Sequence, residues 1–279
     1  MESITFGQCV KGAWRDGWRY FRHRPALAVL LLLYAWLSSF VANALRPDST
    51  PPFRLLTYVP LGVFELMETA LFSLLIMHAI RFVLLETHST NAQPISGSSY
   101  WRFFGCMYGL TMLVVMVVVT LVGLAIALFA GLVIMLAHTS KAAIAQLPVE
   151  APVLMSIVGA SFAVIALCVS WFVLTRLSLL HAHVAMGGTL RLQEVWTDTR
   201  GHCWSIWLIQ LCAGLPTFAA SALLTASGLA SRHQGHGSFS ALNAPAIALG
   251  AFGALYIGAP CSAWLYRRYA NALKVSLLH

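Results

Sequence analysis

Apolar residues come in six long runs, near residues 25–45, 57–82, 107–136, 153–175, 205–229 and 244–265. Each is long enough to cross about 30 Å of hydrocarbon at about 1.5 Å per helical residue. The runs predict membrane-spanning α-helices. Large buried core helices are the alternative, but six of them would need a polar shell. With 59% hydrophobic and 9% charged residues, the chain lacks the material for one.

The polar positions between the runs are also patterned. In TFGQCVKGAWRDGWRYFRH, residues 5–23, Phe6, Val10, Trp14, Trp18 and Phe21 recur at near-helical spacing, with Lys11, Arg15, Arg19 and Arg22 in a row beside them. This predicts an interfacial helix whose apolar row lies at the acyl boundary while the basic row reaches anionic headgroups. Pro25 then opens the first span. Two later segments look related: Ser99 to Phe104 before the third span, and LRLQEVWTDTRGHCW, residues 190–204, before the fifth, where Gly201 is placed to end a short helix. Trp14 and Asp16 are matched by Trp196 and Asp198 in a Trp-x-Asp pair, and the second copy keeps only Trp101.

Each such segment precedes two spans, and each second span ends at arginine: Arg81, Arg176, and Arg267 with Arg268. The intervals Trp14 to Arg81, Trp101 to Arg176 and Trp196 to Arg268 are 67, 75 and 72 residues. One integral membrane domain over 1–279 is expected, built from three degenerate units at 5–86, 98–183 and 189–275, each a cytoplasmic-side interfacial helix plus a hairpin of spans. Two spans per unit make the repeats parallel, which disfavours an inverted-repeat transporter.

The net charge of +8 changes meaning once its distribution is seen. One set of ends and loops carries 13 of the 17 basic residues; the opposite set carries Arg46, Arg54, Lys141 and Arg232. The positive-inside bias places both termini in the cytoplasm and makes the cations topology signals and headgroup contacts, with no nucleic-acid partner. The sequence PALAVLLLLYAWLSSFVANAL is expected to be a retained span, because its flank and its apolar run are too long for a signal peptide. The six cysteines fall in spans or on the cytoplasmic side and are expected to stay unpaired.

At RLSLLHAHVAMGGTLRLQEVWTDTRGHCWSIWLIQL, residues 176–210, an arginine at a span's end leads through a glycine turn and a short tryptophan-bearing helix to Thr-Arg-Gly and a tryptophan-rich span entry. This stretch resembles the YciC-like bacterial inner-membrane proteins, an uncharacterised family. It is also similar to the membrane region fused to some glycerophosphodiester phosphodiesterases. The resemblance implies a six-span fold in a bacterial inner (plasma) membrane, and no particular activity.

Candidate chemistry is sparse. Glu65 and Glu68 interrupt an otherwise apolar run; counted from Pro60, they lie about 8 Å and about 12 Å into the helix and share a face. Two ionised carboxylates this close repel in low dielectric, so the pair implies a shared proton or a bound cation in a cavity, or else a polar crevice that holds helices together. His181, His183, His202 and Cys203 match no zinc spacing, so no metal is expected; His233 and His236 lie in a glycine-rich outer loop. No Gly-x-Ser-x-Gly, HExxH or phosphate-cradling glycine loop is present, so neither catalysis nor a cofactor is expected. Ala246, Gly250, Ala254 and Gly258 form a small-residue stripe expected to pack within the chain, and Pro260 and Pro216 are expected to kink the last two spans. The sequence thus reads as a non-enzymatic multi-pass protein in envelope upkeep, a lipid-facing scaffold or the membrane partner of another protein. The alternative is a small transporter using Glu65 and Glu68 for proton or cation coupling.

Overall fold

A computed structural model describes residues 4–44, 59–85, 97–139, 151–233 and 243–276, and among these every regular element is helical. In chain order they are α1 (Phe6–His23), α2 (Pro25–Ala44), α3 (Val59–Leu85), α4 (Gly97–Thr139), α5 (Ala151–Ala185), α6 (Leu192–Asp198), α7 (Cys203–His233), α8 (Asn243–Gly253), a π-helical turn (Ala254–Gly258), α9 (Ala259–Tyr269) and α10 (Ala272–Ser276). Arg46, Arg54, Lys141 and His236 lie outside the described residues.

Five helices are long and apolar enough to cross a membrane, over Gly62–Leu85, Gly97–Leu121, Val164–Ala185, Cys203–Ala226 and Ala248–Tyr269. The first expected span is also helical, but its apolar part, Pro25–Ser38, is shorter. Outward-facing residues on these helices are large and oily: Leu223 is 71% exposed and Met116 66%. An apolar surface of this kind is stable against hydrocarbon and not against water.

The described residues divide into two compact units, one up to Cys106 and from Leu177 onward, the other from Met107 to Arg176. In the first, α1 lies against α9, α7 and the π turn; α8 packs on α7 and α2; α3 packs on α9. Thr5 and Gln8 close a reciprocal cap at the start of α1, and Arg24 leaves helical geometry before Pro25 starts α2. At the other short helix, Gly201 adopts φ +79°, a left-handed conformation suited to glycine, just beyond the end of α6.

Three expectations need correction. The segment Ser99 to Phe104 is not a separate interfacial helix but the opening turns of α4, whose 43 residues run unbroken. No proline or left-handed glycine separates it from the span, as Pro25 and Gly201 do for its relatives. The helix reaching Arg176 does not stop there; it continues to Ala185 and buries Leu179, Leu180, Ala182 and His183 before Gly187, at φ +93°, ends it. The small-residue stripe of the last span faces outward at Gly250, Ala254 and Gly258. Gly253, beside the stripe, turns inward instead, where an added Cβ would lie 2.6 Å from the Thr217 hydroxyl. The π turn sits directly before Pro260, where the missing N–H breaks the α-helical bonding pattern.

Candidate functional site

The basic row and the aromatic row of α1 lie on its exposed surface. Lys11, Arg15, Arg19 and Arg22 are all exposed, as are Phe6, Trp14 and Trp18; Arg22 sits 5.2 Å over the Trp18 ring. A third face, which neither pattern marks, holds the helix to the bundle: Cys9, Gly12, Ala13, Asp16, Gly17 and Tyr20 are buried. Small side chains there let backbones approach closely. An added Cβ at Gly12 would overlap the Trp264 indole, and one at Gly17 would overlap the backbone carbonyl of Tyr256 in the π turn.

Tyr20 is fully buried among Phe82, Tyr256 and His78, with its hydroxyl 3.2 Å from His78 Nδ1. Burial, reinforced by Tyr256 and opposed by Arg24, pushes the Tyr20 hydroxyl well above the usual phenol range, so it stays protonated and available as a donor.

The Trp-x-Asp pairs acquire a physical meaning. Both tryptophans are exposed, and both aspartates point to the last stretch of the chain. Asp16 Oδ2 accepts the Trp264 indole N–H at 2.9 Å, while Oδ1 meets Arg15 at 3.2 Å and Arg19 at 3.9 Å. Asp198 accepts the backbone N–H groups of Ala272 at 3.0 Å and Leu273 at 3.1 Å, capping α10. Each of the two helices therefore turns a tryptophan outward and uses a carboxylate to dock on the C-terminal stretch, Asp16 at Trp264 in α9 and Asp198 at the start of α10.

The helix-end arginines do varied work. Arg267 donates to the Val83 carbonyl in the last turn of α3 and lies 5.1 Å over the Trp264 ring. Arg268 lies 4.9 Å over the Tyr269 ring, and Arg176 lies 5.2 Å over Phe172. Arg81 is half-buried near the end of α3. Beside Arg267 and Arg268, the turn after α6 and the turn after α9 enclose a cleft of about 540 Å³.

Glu65 and Glu68 occupy neighbouring turns at the start of the α3 span, Glu65 exposed and Glu68 half-buried. His183 is buried with Nδ1 3.2 Å from the Tyr266 hydroxyl, and the His202 ring lies tilted against Tyr269 with centroids 5.1 Å apart. Among the described residues no three His, Cys, Asp or Glu side chains converge on a metal-sized site, and the six cysteines are free. The buried face of α1 and the cleft carry no periodic apolar signal. The Trp-x-Asp repeat is the one feature of the sequence that points to them.

The chain matches no protein-family model, no curated protein and no solved structure.

Proposed function

We propose that this chain is a non-enzymatic multi-pass protein of a bacterial inner membrane, a lipid-facing scaffold with both termini in the cytoplasm and a role in envelope upkeep. Its six apolar runs form three hairpin units, as in the YciC-like proteins that residues 176–210 resemble. One observation carries the reading: α1 is bolted to the bundle by one face while its exposed surface offers tryptophans and a basic row together. That surface suits the boundary between acyl chains and anionic headgroups. The partners it fits are membrane lipids and, through them, other membrane proteins.

Substituting Lys11, Arg15, Arg19 and Arg22 with Gln tests it. The substituted protein, extracted in mild detergent from membranes rich in phosphatidylglycerol, is expected to retain less than half the anionic lipid of the unsubstituted chain while keeping its helix content by circular dichroism. Equal lipid retention would reduce the basic row to a topology signal.

The coupling role for Glu65 and Glu68 has a separate test. In vesicles loaded with a pH-sensitive dye, the scaffold role predicts equal proton leak with the chain and with Glu65→Gln/Glu68→Gln. A leak that the double substitution abolishes would move the assignment to proton or cation coupling.

A further inference from the structure

We propose that the cleft between the α6–α7 turn and the α9–α10 turn binds a phosphate group, held by Arg200, Arg268 and Lys274 with the Tyr269 hydroxyl as a further donor. The inference goes beyond the scaffold role and does not depend on it.

Four cations line this space, Arg200, Arg267, Arg268 and Lys274, against one carboxylate, Asp198. Both oxygens of that carboxylate already accept backbone N–H groups, so its hydrogen-bonding capacity is largely committed to capping α10. Lys274 donates to a neutral acceptor, the Arg267 carbonyl, at 2.6 Å. Burial pulls the Lys274 ammonium below its usual range, with Asp198 opposing and Arg267 adding to the fall. An anion in the cleft would offset that cost.

Two residues lining the cleft, Arg268 and Tyr269, each keep a buried donor atom unpaired. Tyr269 is only 6% exposed, and its hydroxyl, like Nη1 of Arg268, is buried without a hydrogen-bond partner among the described residues. A buried donor left unpaired costs roughly 1–3 kcal/mol, which an acceptor-rich ligand would recover once a small turn of the side chain brings the donor to the cleft. The cleft also meets the start of α7, a 31-residue helix, through His202 and Ser205. First-turn N–H groups lack acceptors within their helix and carry its positive dipole end, both favourable to an oxyanion. A phosphate supplies several acceptor oxygens and negative charge together, and the volume leaves room for the glycerol of a lipid headgroup.

Two sources can supply this chemistry, an anionic phospholipid or a soluble phosphate compound, and two measurements on the full chain in dodecyl maltoside separate them. One is thermal stabilisation by inorganic phosphate; the other is titration with phosphatidylglycerol, followed by native mass spectrometry with phosphatidylcholine as the control lipid. Binding is expected in at least one arm. Arg200→Gln with Lys274→Gln should weaken it at least tenfold, while Arg102→Gln, at an exposed arginine outside both the cleft and the α1 row, leaves it within twofold. Arg200 is exposed, so Arg200→Gln alone, expected to weaken binding severalfold, reads the cleft even if losing the Lys274 contact unfolds the chain's end. Stabilisation by inorganic phosphate assigns a soluble ligand; a tightly held phosphatidylglycerol with no such stabilisation assigns a headgroup. No binding in either arm, or binding indifferent to the cleft substitutions, overturns the proposal. Failure here leaves the lipid retention of the α1 row untouched, so the two ideas fall separately.

Discussion

Gly17→Ala is expected to destabilise the protein by on the order of 3 kcal/mol and to release α1 from the bundle. Helix propensity alone predicts the opposite sign, since alanine in a helix interior gains about 1 kcal/mol over glycine. The reversal comes from geometry. The added methyl would overlap the Tyr256 carbonyl, a backbone atom of the π turn that no side-chain rotation can move aside. Gly12→Ala should cost less, because its obstacle is the Trp264 side chain, and Gly7→Ala, with nothing within 4 Å, should be neutral or mildly stabilising. Thermal unfolding in detergent gives the order, and limited trypsin digestion reports the docking of α1, because the already exposed Arg15, Arg19 and Arg22 become cleavable once the undocked helix unwinds. Unfolding of Gly17→Ala at the unsubstituted temperature would mean that α1 does not dock by this face.

The second large effect belongs to Asp16. Removing its carboxylate in Asp16→Ala leaves the Trp264 N–H and two guanidinium groups without this acceptor, at a site where Asp16 itself is 7% exposed. The expected loss is about 2 kcal/mol. Combined with Trp264→Phe in a double-mutant cycle, the pair should show a coupling of about 1 kcal/mol or more, because the indole N–H matters only while the carboxylate is there. Additive losses would show that the two side chains stabilise the fold independently. Asp198→Ala should act in the same way on α10, more weakly, since Asp198 is less buried than Asp16.

How much of this could be read from the residues follows from what the bilayer does to the hydrophobic signal. Runs of apolar residues mark the spanning helices plainly, and Pro25 and Gly201 bound the short helices where backbone chemistry requires. The docking face of α1 is invisible to the same reasoning: protein interior and lipid are equally apolar, so hydrophobicity does not separate inward from outward. Steric fit decides there, through Gly12 and Gly17, whose partners lie in the last span. Local spacing finds the stripe at Gly250, Ala254 and Gly258 but not the direction it faces, and the fold turns all three outward. Long-range pairing was legible only as an unexplained echo, the Trp-x-Asp repeat, whose aspartates reach residues 248 and 74 positions away. Glu65 and Glu68 stand out in the sequence by their depth, and the fold places them on one exposed and one half-buried position of α3.

The central claim is that oily helices carry the chain back and forth across a membrane and leave its cationic ends on the cytoplasmic side. Paired fusions to alkaline phosphatase and to green fluorescent protein after Asp48, Thr90 and His279 test it most directly. The account predicts phosphatase activity only after Asp48 and fluorescence after Thr90 and His279. Phosphatase activity after His279, or the same reporter active after both Asp48 and Thr90, would contradict it.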